Sequence, residues 1–255
     1  MPFIRPTTIL AFVALSFSLV GWRAEAQNED AAPKGTEKCV PVPDGLVGWW
    51  PGDKGARNRL GNNHGEASEG LNFATGKVGN AFSFTVADAL VKIPPISDLS
   101  TGGGLAIEGW IRPKTTDIYP IVDWNDGKQL GVHLWVFDVI GRLFFNIVDS
   151  KGGFHVITSG PGIIKRDVYQ HIAATYDKES GIARLYRNGV LMAEDYMGKF
   201  NPQTSYDLYF GHRPSVGQHF KGELDEICIY NRALTFDEVQ AVYAAGSAGH
   251  CAPEE

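Results

Sequence analysis

Trp124, Asn125 and Asp126 stand side by side in Asp123-Trp124-Asn125-Asp126-Gly127, so an indole, an amide and a carboxylate occupy consecutive positions. Sugar recognition asks for that set: an aromatic face against the apolar side of the ring, and planar amides or carboxylates for pairs of hydroxyls. The same Asn-Asp-Gly run also makes a plain turn, and Trp124 can equally close a sheet edge. Trp110 is a second aromatic candidate. In Leu105-Ala-Ile-Glu-Gly-Trp-Ile111, strand alternation sends Leu105, Ile107 and Ile111 to a core side and Glu108 and Trp110 to the other. Trp49, Trp50 and Trp135 lie inside apolar strand patterns and belong to a core or an interface.

The three cysteines carry a different chemistry. Cys39 follows a polar leader and Cys251 stands four residues from the end, so they bracket the chain between them. A disulfide joining them would stabilise by roughly 4 to 5 kcal/mol through loop entropy, less any strain. Cys228, between Ile227 and Ile229, is a small buried hydrophobe. No C-x-x-C spacing supports a metal site built on the three.

The elements that must position these residues are strands. Thirty glycines, 14 prolines and 29 aromatics (14 Phe, 9 Tyr, 6 Trp) favour short strands and tight turns. Apolar runs such as LAIEGWI, YPIVDW, QLGVHLWVF, RLFFNIV, FHVIT, YQHIAATY and ELDEICIY recur with turn signals between them. Asn188-Gly189 is the dipeptide of a type I′ hairpin, and its register predicts Tyr186 opposite Leu191 and Leu185 opposite Met192. One helix is predicted, from the capping box Thr235-x-x-Glu238 through Val239, Val242 and Tyr243 to a stop at Gly246.

Segment composition sets the organisation. Residues 1–26 have a basic start, an apolar stretch from Thr7 to Trp22 and Ala24-Glu25-Ala26, which predicts a signal peptide and a secreted or periplasmic mature chain. A polar leader (27–43), one domain (44–251) and a tail (252–255) follow. With 23 Lys+Arg against 29 Asp+Glu, net -6, the chain lacks the basic excess that nucleic acid or an anionic membrane surface attracts. No membrane insertion is expected once the signal is removed.

Seven motifs in order now carry a resemblance: Gly45-Leu-Val-Gly-Trp-Trp-Pro-Gly-Asp53, Gly61-Asn-Asn-His-Gly65, Gly76-Lys-Val-Gly-Asn-Ala-Phe-Ser-Phe84, Leu105-Ala-Ile-Glu-Gly-Trp110, His171-Ile-Ala-Ala-Thr-Tyr-Asp177, Leu185-Tyr-Arg-Asn-Gly189 and Gly222-Glu-Leu-Asp-Glu-Ile-Cys-Ile-Tyr-Asn-Arg-Ala-Leu234. Together they resemble the LamG-like jelly-roll domain of the concanavalin A-like lectin/glucanase sandwiches. The resemblance implies an all-β fold of two antiparallel sheets. It also implies a structural calcium ion clamped between the first and last strands, at the places of Asp53 and Asp225. On the residues alone, Asp53 caps the Pro51-Gly52 turn and Asp225 pairs with a neighbouring strand, so both readings stand. Phe210-Gly-His-Arg-Pro-Ser215 lacks the carboxylates with which pentraxins hold calcium.

Glucanases share this sandwich and need two carboxylates about 5 to 5.5 Å apart when they retain configuration. Their Glu-x-Asp-x-(x)-Glu signature would fall at Glu223-Leu-Asp225-Glu226-Ile-Cys228, where Ile227 and Cys228 replace its last Glu. Asp225 and Glu226, being adjacent, are expected on opposite faces. No H-E-x-x-H or Gly-x-Ser-x-Gly occurs either. The expected function is non-enzymatic binding of a glycan or a glycan-bearing surface, with a protein-interaction or adhesion module as the alternative and a glycosidase as a weaker one.

Overall fold

Asn188 and Gly189 carry φ angles of 50° and 75°, the positive values a two-residue hairpin turn requires, and join the strands Ile182–Arg187 and Val190–Tyr196. In this computed structural model, residues 38–99 and 101–252 are described. The expected signal peptide at 1–26, the leader up to residue 37 and the last three tail residues lie outside them. Tyr186 faces Leu191 as the turn dictates, but Leu185 faces Ala193 and not Met192. A bulge at Met192 shifts the register, because an extra residue on one strand has no partner on the other.

Two large antiparallel sheets stack face to face. In spatial order the eight-stranded sheet runs Val190–Tyr196, Ile182–Arg187, Gln170–Asp177, Gly104–Pro113, Gly222–Tyr230, Asn80–Phe84 and Asn72–Thr75, with Leu46–Trp50 also paired to Gly222–Tyr230. The seven-stranded sheet runs Val156–Thr158, Arg142–Asn146, Leu130–Phe137, Tyr119–Asn125, Leu208–Phe210, Val91–Ile93 and Glu66–Ala67. This is the jelly-roll sandwich with a short C-terminal helix that the motifs implied.

Alternate residues of each strand point into the gap between the sheets. There Phe210 meets Trp50 and Phe82, ring centroids 5.4 and 6.3 Å apart, and Phe145, Leu134, Ile107 and Ile111 pack into the same core. Each such side chain contributes about 1.5–3 kcal/mol by leaving water.

The outer face of the eight-stranded sheet is covered as well. The helix Phe236–Ala245 starts at a complete capping box, in which the Glu238 amide donates to Thr235 and the Thr235 amide donates to Glu238. It buries Val239, Val242 and Ala245 and lays Tyr243 against Trp110 at 5.8 Å. On the same side Cys39 and Cys251 form a disulfide with Cα atoms 4.8 Å apart, flanked by backbone bonds from Val40 N to Gly249 O and from Cys251 N to Val40 O. His250 is thereby delivered to Glu108. Its Nε2 lies 3.0 Å from Glu108 Oε1, while His171 Nε2 lies 2.7 Å from Oε2. Burial alone would raise the Glu108 carboxyl, but hydrogen bonds from the two histidines outweigh it and hold the group at about 2. Among the described residues, no helix is long and apolar enough to cross a membrane.

Candidate functional site

The aromatic candidates of the sequence do not meet solvent. Trp124 is fully buried in the core between the sheets, because on its strand the outward places go to Asp123 and Asn125. Trp110 does face away from that core, as alternation predicts, yet it is 4% exposed beneath Tyr243 and His171, with Lys77 Nζ 4.9 Å from its ring centre. Neither indole offers a face for a sugar, which corrects the expectation for both.

Asn125 and Asp126 serve the turn. Asn125 donates from Nδ2 to Asp123 Oδ1 at 2.8 Å and accepts from Gly127 N. Asp126 Oδ1 accepts from the Lys128 and Gln129 amides at 2.8 and 2.6 Å. With the Gly127, Lys128 and Gln129 amides engaged, the Lys128 and Gln129 side chains line a cleft of about 580 Å³.

Two further segments complete that cleft. Asp149 folds the loop before Val156 by accepting from Lys151 N and Gly153 N on Oδ1, and it meets His155 Nε2 at 3.0 Å on Oδ2. The His155 contact, aided by the Gly153 amide, holds the Asp149 carboxyl at about 2. A Cβ on Gly153 would stand 2.6 Å from Asp149 Oδ2, so this closed loop needs glycine there. Phe154, next in sequence, is 60% exposed. Tyr206 donates its hydroxyl to Gln129 Oε1 at 2.7 Å, and Gln203 is tied by its backbone to Val132 and Val148.

The cleft thus combines an exposed phenyl face, a phenol, the amides of Gln129 and Gln203 and the ammonium groups of Lys128 and Lys151. A cavity of about 610 Å³ beside Asp53 presents Lys54, Arg57, Arg59 and His64 but no Phe, Tyr or Trp. On the outer face of the seven-stranded sheet the Arg213 guanidinium sits 4.0 Å over Trp135 and donates to Asp123 at 2.8 Å. Burial and Arg213 keep His133 neutral there, at about 3. Phenyl rings of Phe137 and Phe144, half-buried and stacked at 5.0 Å, extend this layer.

None of Phe154, Tyr206, Gln129 or Lys151 was singled out from the sequence. Phe154 opened an apolar run that signalled a strand, and only the exposed alternation of Phe154, Val156 and Thr158 hinted at an outer face.

Asp53 and Asp225 meet at one turn, Gly76–Asn80. Asp225 Oδ2 accepts from Lys77 N at 2.6 Å and Val78 N at 3.0 Å, and Asp53 Oδ1 accepts from Asn80 N at 3.0 Å. Asp53 Oδ2 is taken by Arg59 Nη2 at 2.9 Å, whereas Asp225 Oδ1 is buried without a hydrogen-bond partner. Burial pushes Asp225 up to about 8, with Glu226 and Asp53 adding to it. Glu226, raised by burial to about 7, accepts from Trp49 Nε1 at 2.8 Å.

The expectation that Asp225 and Glu226 take opposite faces is also corrected. A bulge between Asp225 and Cys228, with Glu226 at a φ of 54°, lets Leu224 and Ile227 both face the core, so both carboxylates lie on the other side. They answer different partners and are 0% and 4% exposed.

Residues 85–240 match the family model of the concanavalin A-like lectin/glucanases superfamily. The chain belongs to this superfamily. As a concanavalin A-like sandwich it is similar to several solved structures. Domain 4 of AbnA, a GH43 extracellular arabinanase from Geobacillus stearothermophilus solved with arabinotriose, shares 19% identity at a TM-score of 0.58, over 76% of this chain and 96% of that one. The binding domain of Paraclostridial Mosquitocidal Protein 1 shares 18% at 0.63, and the botulinum neurotoxin serotype D domain solved with N-acetylneuraminic acid shares 13% at 0.59. This concanavalin A-like chain spans only about half of each toxin domain, 52% and 50%, and at such identities the likeness is one of fold. No curated protein matches it.

Proposed function

We propose that this chain is a secreted, non-enzymatic binding module that recognises a glycan or a glycan-bearing surface in the cleft between Gln129, Phe154 and Tyr206. The single observation that carries the reading is Phe154. A phenyl group 60% exposed on a locked loop, in one cleft with amides and ammonium groups, is an arrangement that can stack on a sugar ring and pair its hydroxyls. The solved relatives that hold arabinotriose and N-acetylneuraminic acid support it through a shared fold. The formed Cys39–Cys251 disulfide supports an oxidising, extracytoplasmic compartment.

A purely binding role is supported by the burial of Asp225 and Glu226, which leaves the perturbed carboxylates out of reach of a substrate. A panel of immobilised glycans tests the reading. Binding that free sugar competes away, and that Phe154→Ala weakens at least tenfold, is expected. Silence on every glycan would favour the protein-interaction or adhesion module.

We also propose a structural calcium ion at the Gly76–Asn80 turn, held by Asp225 and Asp53. The partnerless buried Oδ1 of Asp225 supports it, and an ion there would draw Asp53 away from Arg59.

A further inference from the structure

Glu108, Cys228 and His250 bring a carboxylate, a thiol and an imidazole to one point on the outer face of the eight-stranded sheet. Their ligand atoms lie within 4.8 Å of one another, and all three residues are buried. The fold builds this juxtaposition deliberately. Glu108 and Cys228 are direct cross-strand partners, and His250 arrives on the tail that Cys251 and Val40 pin down. The carboxylate is divided between two tasks: His171 fixes Oε2 at 2.7 Å, which leaves Oε1 turned toward His250 at 3.0 Å and the Tyr230 hydroxyl at 3.3 Å.

A buried ionic network stabilises a fold no better than apolar side chains of the same volume would, so its composition asks for another reason. Sulfur, nitrogen and oxygen donors gathered in one buried place are a set that suits zinc.

We propose that Glu108, Cys228 and His250 hold a zinc ion, with His171 as the positioning residue that fixes the carboxylate. On binding, the Cys228 thiol releases its proton to solvent and so does His250, which gives up the proton its Nε2 shares with Glu108 Oε1; S–Zn and N–Zn bonds replace the S–H and N–H bonds, and thiolate and carboxylate together balance the two positive charges. The ion clamps the disulfide-tied ends of the chain onto the sheet. It leaves no signature in the sequence because its residues come from strands and a tail far apart, with no pair at the short spacings of metal motifs.

The test uses the untagged chain with its disulfide intact, unfolded with chelator and refolded with cobalt(II) as the probe. One equivalent is expected to bind, with a near-ultraviolet thiolate-to-cobalt band that zinc displaces. Cys228→Ser loses the near-ultraviolet band. His171→Gln keeps it with affinity at least tenfold weaker. Circular dichroism reports that each variant has refolded. Wild-type chain with native circular dichroism and a titratable Cys228 thiol that binds no cobalt overturns the proposal and leaves a buried ion-pair network; so does a near-ultraviolet band that persists in Cys228→Ser.

Discussion

Tyr206 donates its hydroxyl to Gln129 Oε1 at 2.7 Å, and that bond joins the segment after Gln203 to the turn that Asp126 shapes. The cleft wall is therefore set before any ligand arrives, which lowers the ordering cost of binding. Tyr206→Phe keeps the ring and removes the bond. Glycan affinity is expected to fall about 3- to 10-fold, the worth of one hydrogen bond, while the melting temperature stays within about 2 °C. Titration calorimetry with a panel-selected glycan, alongside a thermal melt, checks both.

Trp124→Ala is expected to behave in the opposite way. Its indole fills the core between the sheets, so truncation leaves a cavity and costs about 3–5 kcal/mol. Urea unfolding measures this directly. A loss below about 1 kcal/mol would contradict the inward placement of the ring.

Asp225 and Glu226 fix how stability responds to alkali. Their folded values of about 8 and about 7 lie above those of the unfolded chain, near 4. Between pH 4 and 8 the native state holds protons that the unfolded chain has released, so stability falls as pH rises, by at most about 1.4 kcal/mol per unit for each group, and levels off above 8. Glu108, held at about 2, acts oppositely: its contribution is present above about pH 4 and is lost as pH falls toward 2. Asp225→Asn should flatten the slope of stability between pH 4 and 8 in denaturation curves. Millimolar calcium should raise the wild-type melting temperature at pH 8 and leave Asp225→Asn unmoved; no shift in either would remove the ion.

The Cys39–Cys251 bridge closes a span of 212 residues, for which the loop-entropy estimate is about 5 kcal/mol. Replacing both cysteines by serine should cost several kcal/mol in urea unfolding. An unchanged midpoint would show that the backbone bonds around Val40 and Gly249 suffice alone.

What was legible in the sequence was local or covalent. The Asn188-Gly189 turn, the Thr235–Glu238 capping box and the bracketing cysteines each rest on residues whose chemistry acts within a few positions or by a bond. The side to which Trp124 points depends on strand parity, and bulges around Ile121 and Trp124 in its own strand, like those at Met192 and Glu226, reset parity without a sequence mark. Phe154 was missed because an apolar residue beside a strand signals burial by default. Glu108, His171 and His250 converge only after sheet and tail are assembled.

The most direct measurement is equilibrium binding of a panel-selected glycan to wild-type chain and to Phe154→Ala, with thermal melts of both. Binding by the wild type, weakened at least tenfold in Phe154→Ala with an unchanged melt, is the expected result, equivalent to about 1.4 kcal/mol of stacking. Equal affinity in the two proteins, or no glycan held by the wild type, would contradict a sugar-binding cleft at Phe154.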